Sequence, residues 1–124
     1  MSENSQRQPA IRTVLLPRDT NANGTIFGGV ILSHIDLAGA VEARNHTQEK
    51  VVTVAIKEVI FKHPVRVGEV VSFYTSTTRV GRTSVSVHVE VESERFGLAI
   101  PVTAAELTFV AVDCDGHPTP LRPE

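Results

Sequence analysis

Hydrophobic residues follow two regimes along this chain: solid runs up to about residue 44, then from Val51 onward a period of two, clearest between Thr83 and Glu92. Residues 11–16 form a short β-branched run stopped by Pro17, which predicts a first strand. A polar stretch follows, Asp19-Thr20-Asn21-Ala22-Asn23-Gly24, whose Asn and Gly residues tolerate left-handed backbone angles. Residues 28–44 are then apolar on nearly all sides, which predicts a buried helix and not an amphipathic surface one. Within it, Ala38-Gly39-Ala40 carries almost no side-chain bulk. Glycine costs roughly 1 kcal/mol relative to alanine in a helix interior, a cost that a sheet packed closely against that face would explain.

Where the period becomes two, long strands are expected at 51–61, 69–80, 83–92 and 102–112. The third of these has the clearest pattern, with Val85, Val87, Val89 and Val91 on one face and Ser84, Ser86, His88, Glu90 and Glu92 on the other. Residues 62–68 contain Pro64 and Gly68 and read as a turn, Val80-Gly81-Arg82-Thr83 as a tight hairpin, 95–101 as a connection, and the Pro-rich 117–124 as a tail. One strand, one buried helix and four strands in that order predict an α+β architecture, an antiparallel sheet curled around the helix.

Length and composition narrow the class. With 124 residues, 41% hydrophobic content and net charge -2, the chain fits one domain over residues 10–121, with tails at 1–9 and 122–124. Twelve basic residues spread from Arg7 to Arg122 form no basic stripe, so no nucleic-acid partner is expected. The apolar run is too short for a bilayer and is interrupted by Ser33, His34 and Asp36, so no membrane partner is expected either. One cysteine, Cys114, excludes an internal disulfide framework, and the polar start of the chain has no signal-peptide core; both predict a cytoplasmic protein.

Candidate chemistry concentrates on the helix. Asp36 stands among Ile35, Leu37, Ala38, Gly39 and Ala40, and burying an ionised carboxylate costs several kcal/mol unless it is paired or hydrogen-bonded. The helix also opens at Gly28-Gly29, where backbone amides can hold an anion or a polarised carbonyl. A plain cap by Thr25 or Asn23 is the structural alternative for the opening, and a tie to backbone amides or an arginine is the alternative for Asp36. The five histidines are scattered with no partner at metal-ligand spacing, so no metal is expected. A Gly-x-Ser-x-Gly elbow is absent, Cys114 sits in a turn between two acids that oppose thiolate formation, and Ser33 and His34 are expected to be satisfied within the helix.

These residues carry a resemblance. Asp19-Thr20-Asn21-Ala22-Asn23-Gly24, then Ile26-Phe27-Gly28-Gly29 and Asp36-Leu37-Ala38-Gly39-Ala40, is similar to the acyl-CoA thioesterases of the hotdog fold, in particular the bacterial YciA-type enzymes. Val52-Thr53-Val54, the stretch 61–68, Gly81-Arg82-Thr83-Ser84-Val85 and Val110-Ala111-Val112-Asp113 extend the likeness over 11–121. The resemblance implies a five-stranded antiparallel sheet wrapped around one long central helix, a dimer with a continuous sheet, and often a hexamer of three dimers. It implies hydrolysis of acyl-CoA with no cofactor, the coenzyme A moiety being part of the substrate. It places Asp36 as the catalytic acid and Gly28 and Gly29 as the amides at the helix start, with Asn23 in the loop beside them. Thr25 stands where other members carry Asp or Asn. Thr25, Phe27, Thr53, Lys62, Arg66, Arg82 and Ser84 are the substrate-binding candidates.

Two rival activities share this fold. A non-catalytic acyl-CoA-binding domain would gain nothing from an acid at position 36. A dehydratase or hydratase needs a histidine and an acid working together, whereas His34 lies two residues from Asp36 and points to another face of the helix. Gly28 and Asp36 are eight residues apart, about 12 Å along a helix axis, too far for one thioester carbonyl to meet both in the same chain. An obligate dimer with sites shared between antiparallel helices is therefore expected.

Overall fold

The computed structural model describes residues 7–123. Expectations for residues 1–6 and 124 lie outside the described residues. Strand β1 (Ile11–Val14) leads through a turn of 3-10 helix at Pro17–Asp19 and the polar loop into helix α1 (Gly28–Ala43). A 3-10 turn at Arg44–His46 follows, then β2 (Lys50–Lys57), β3 (Val70–Val80), β4 (Ser84–Arg95) and β5 (Leu98–Val112). The five strands make one antiparallel sheet in the order β1-β3-β4-β5-β2, which leaves β2 at an edge.

Helix α1 lies on the face where Val85, Val87, Val89, Val91, Leu107 and Phe109 point, and it buries Ile31, Ile35, Ala38, Gly39 and Ala43 against them. The expected close approach at the small patch is present. A Cβ on Gly39 would stand 2.9 Å from Phe109 Cζ and 3.0 Å from its Cε2, inside contact distance, so only glycine fits without movement.

The helix is not buried all round. Leu37 and Val41 remain 58% and 50% exposed, and on edge strand β2 Val52 and Val54 are 44% and 56% exposed. The apolar periphery that predicted a fully buried helix therefore has two destinations, one covered by the chain's own sheet and one left uncovered. Asp36 is half-buried on the flank between them and not in the core.

Several boundaries differ from expectation. Strand β2 stops at Lys57 because Glu58 takes φ 57°, a left-handed angle that ends the extended run. Residues 95–101 are not a connection: β4 and β5 continue to Arg95 and from Leu98, joined by Phe96-Gly97 with φ 53° and 78°, the paired positive angles of a tight hairpin turn. Pro101 sits inside β5 at a register shift opposite Val91 and Glu92, one of the few places a strand tolerates a residue without N–H. At the C-terminus, residues 117–121 are not a tail. Thr119 N–H donates to Ala111 O at 2.9 Å, Leu121 N–H to Arg82 O at 2.9 Å, and the Leu121 side chain is buried. Arg7, expected in a loose tail, pairs with Glu90 and Glu92 at 3.1 Å each and lies 4.0 Å over the Tyr74 ring. No described helix is long and apolar enough to cross a membrane.

Candidate active site

Asn21 organises the loop that delivers the helix start. Its Oδ1 accepts the N–H groups of Asn23 at 2.8 Å and Thr25 at 3.3 Å, and its Nδ2 donates to Thr25 Oγ1 at 3.1 Å. Gly24, at φ 83°, closes the turn. Phe27 N–H then bonds Asp19 O at 2.8 Å and Ile26 N–H bonds Val65 O at 2.9 Å, fixing the loop to both neighbouring segments.

Neither Thr25 nor Asn23 caps the helix. The cap position is Phe27, which offers no side-chain acceptor, and the first turn holds no acid. The Gly28 and Gly29 amides consequently have no acceptor among the described residues and remain available to an incoming oxygen. A Cβ on Gly29 would lie 2.6 Å from the ring of the exposed Phe27, so that side chain would have to move aside. Asn23 is exposed at the turn, Thr25 half-buried beside Asn21, and Phe27 exposed over the helix start.

Two turns along, Asp36 Oδ1 accepts a short hydrogen bond from Thr53 Oγ1 on β2, at 2.5 Å. Thr53, a substrate-binding candidate from its sequence, thus also holds the carboxylate in place. Asp36 Oδ2 has no partner among the described residues and is half-open to solvent. Ser33 and His34 are satisfied locally as expected: Ser33 Oγ donates to Val30 O at 2.7 Å, and His34 Nδ1 lies 2.9 Å from the same carbonyl with its ring stacked on Phe73.

Beside the helix start is a cavity of about 300 Å³ walled by Gly28, Ile31, Phe61, Lys62, Val65 and Val102. Its outer wall is pinned in two places. Lys62 N–H donates to Val102 O at 2.8 Å, and His63 Nδ1 donates to Pro101 O at 2.9 Å. Behind it Glu69 gathers Arg95 Nε at 2.5 Å, Arg95 Nη2 at 3.2 Å, Ser93 Oγ at 3.0 Å and the Arg66 amide at 2.8 Å. The Arg95 guanidinium holds the Glu69 carboxyl well below its usual range, at about 2, and Glu69 raises Arg95 in return. Arg95 Nη2 also donates to Pro64 O at 3.1 Å, so this ion pair clamps the segment carrying Lys62 and Arg66.

Arg82 and Ser84 are elsewhere. Thr83 O accepts from Ala111 N–H, whereas Lys62 is bonded at Val102 of the same strand. Nine residues of β5 separate the two points, roughly 30 Å at 3.3 Å per residue. One chain therefore brings Lys62 to the helix start and Thr53 to Asp36, holds Arg66 at the Glu69 clamp, and leaves Arg82 and Ser84 at the far end of the sheet.

Sequence reasoning missed the Glu69–Arg95 clamp, whose partners are far apart in the chain. It also missed that Asp113, Asp115 and His117 bring three ligand-type atoms within 4.8 Å, which corrects the expectation that none of the five histidines has a partner at metal-ligand spacing. Asp113 Oδ1 is committed there to the Asp115 and His117 amides at 2.9 and 3.0 Å.

Comparison with known proteins adds to this geometry. A model of the thioesterase superfamily matches residues 23–100, more than half of the chain. The acyl-CoA thioester hydrolase YciA of Salmonella typhimurium is 41% identical, with 98% of this chain and 95% of that protein covered. Its Escherichia coli counterpart is 42% identical over 92% and 90%. Among solved structures, a hexameric hotdog fold thioesterase of Campylobacter jejuni superposes with TM-score 0.86 at 46% identity, covering 92% of this chain and 90% of that one. A hexameric broad specificity acyl-coenzyme A thioesterase, solved as an aspartate-to-alanine variant, gives TM-score 0.90 at 40% identity over 96% and 89%.

Proposed function

The chain belongs to the thioesterase superfamily and has its hotdog fold, and on that footing we propose that it hydrolyses acyl-CoA thioesters to free CoA and a carboxylic acid. The observation that carries the catalytic reading is the pairing of an uncapped helix start with a carboxylate anchored through one oxygen only. Thioester hydrolysis needs donors set where negative charge develops on the carbonyl oxygen, and a base or nucleophile at the carbonyl carbon. The Gly28 and Gly29 amides suit the first task. Asp36 Oδ2 suits the second, either taking a proton from the attacking water or attacking the carbonyl itself, with the CoA thiolate leaving. Nothing in this scheme calls for a cofactor.

The two parts are about 12 Å apart along one helix, so the working unit in this reading is a homodimer. An antiparallel pairing of helices sets Gly28 of one subunit against Asp36 of the other, and it covers Leu37, Val41 and the exposed edge of β2. The same two-fold carries the Lys62 segment of one subunit toward the Arg82 end of the other, which reconciles their separation within a chain. The hexameric relatives support an assembly of three such dimers. A cytoplasmic location fits an acyl-CoA substrate and a single cysteine.

Thiol release from a panel of acyl-CoA thioesters tests the reading. Asp36→Ala is expected to stay folded and to lose about 10²- to 10⁴-fold in turnover. Near wild-type turnover in a folded variant removes Asp36 from the mechanism.

A further inference from the structure

The start of α1 has nothing of its own to hold it in place. Its cap position, Phe27, offers no side-chain acceptor, no acid stands in the first turn, and the Asn21 side chain reaches only as far as Asn23 and Thr25. Helix ends with unpartnered N–H groups fray. Yet the two residues that deliver Gly28 are both tied down, Ile26 through its N–H to Val65 O at 2.9 Å and Phe27 through its N–H to Asp19 O at 2.8 Å.

Both ties lead to one ion pair. Val65 stands between Pro64, whose carbonyl accepts Arg95 Nη2 at 3.1 Å, and Arg66, whose N–H donates to Glu69 Oε1 at 2.8 Å, so the carbonyl that receives Ile26 is held from either side. The second route is longer. Leu16 N–H donates to Asp19 Oδ2 at 2.9 Å, and the neighbouring Leu15 O accepts Gly68 N–H at 3.3 Å, from the turn that Glu69 N–H closes on Arg66 O at 3.2 Å. The pair itself is firmly seated. The Glu69 and Arg95 side chains are 11% and 19% exposed, Arg95 ends β4, and the buried Ser93 adds its hydroxyl to Glu69 at 3.0 Å. With Arg95 holding its carboxyl down at about 2, Glu69 is ionised throughout the neutral range.

We propose that Glu69 and Arg95 are positioning residues for thioester hydrolysis: through the turn at 64–69 they set where the Gly28 and Gly29 amides point, and so how well those amides meet the oxygen that gains charge. The role rests on the acyl-CoA hydrolase reading, and its test separates the two. Glu69→Gln and Arg95→Lys are compared with wild type on acetyl-CoA. Arg95→Lys keeps a cation beside Glu69 but loses the fork that also reaches Pro64 O, so it is the milder variant and carries the same test if Glu69→Gln does not fold. A displacement of about 1 Å at donors to a developing oxyanion costs up to about 10²-fold. The expected result is a fall in kcat of about 10- to 100-fold with KM held within about twofold. Two inhibitors locate the loss. S-(3,3,3-trifluoro-2-oxopropyl)-CoA, which hydrates to a tetrahedral centre bearing the oxygen, should weaken by about the same factor as kcat, while S-propyl-CoA, which lacks that oxygen, should bind as before. Arg7→Met, which breaks ion pairs to Glu90 and Glu92 elsewhere on β4, is the control and should change none of these. In protein carrying 15N at its eight glycines, the Gly28 and Gly29 amide resonances should shift in both clamp variants and stay in place in Arg7→Met. Unmoved Gly28 and Gly29 resonances, equal weakening of both inhibitors, or a rise in KM at constant kcat overturns the positioning role. A wild type that cleaves no acyl-CoA overturns the hydrolase reading instead, and the glycine resonances then still decide whether the clamp sets the helix start.

Discussion

Gly39→Ala sets two effects of known sign against each other. Alanine is the better helix former by roughly 1 kcal/mol, so propensity alone favours the variant. The added methyl would however stand 2.9 and 3.0 Å from two carbons of the Phe109 ring, with Leu107 Cδ2 at 3.4 Å. Phe109 is 1% exposed and Leu107 fully buried, so neither can swing into solvent. Overpacking of a closed core costs about 1–3 kcal/mol. The balance is a net loss of about 1 kcal/mol, which for a domain of this size lowers Tm by about 3–4 °C. Thermal melts at one fixed protein concentration are the assay, since assembly makes Tm concentration-dependent. The same substitution in a Phe109→Leu background removes the ring and should turn the effect stabilising, a non-additivity that localises the cause. Because Gly39 is one turn beyond Asp36, displacement of the helix should also loosen the 2.5 Å Thr53 contact and lower kcat. A rise in Tm in the parent background, or equal effects with and without the ring, refutes the packing argument.

Two further outcomes follow from the geometry. Mixing Asp36→Ala subunits with Gly28→Pro subunits under exchange should restore part of the activity, because one site in each mixed dimer is intact; verified heterodimers with no recovery would sink the shared site. Glu69, held at about 2 against an ordinary 4.5, contributes stability that is full above pH 4.5 and lost as pH falls toward 2. After allowance for solvent screening this is about 1–2 kcal/mol, so denaturant melts should show Glu69→Gln well below wild type at pH 6 and converging with it as pH falls to about 2. A gap independent of pH would mean that packing and not charge makes the clamp.

Some of this was legible in the residues and some was not, for physical reasons. The valines at 85, 87, 89 and 91 all enter the core, and the bulk-free Ala38-Gly39-Ala40 meets a ring at contact distance, because both are purely local statements about one face. Periodicity could not distinguish a helix face covered by its own sheet from one left for a neighbour, so Leu37 and Val41 read as core and Asp36 as a buried acid. The hairpin at 96–97 was hidden because its first left-handed position is filled by phenylalanine, a poor residue for that angle, and Pro101 shortly after argued against a strand. The Glu69–Arg95 clamp joins residues 26 apart and gave no local signal.

Strand β5 acts as a ruler. Val102 takes the Lys62 amide next to the helix-start cavity and Ala111 bonds Thr83 in the turn that carries Arg82 and Ser84, so one unbroken run of backbone sets how far apart these two groups stand. A residue inserted between positions 103 and 110 would lengthen that gauge by about 3.3 Å and turn every later side chain to the opposite face. Extra residues at the 96–97 tip would alter neither. Tolerance to insertion should therefore be sharply uneven along this single hairpin, high at its tip and nil along its shaft, and the substrate geometry stays calibrated however the tip varies.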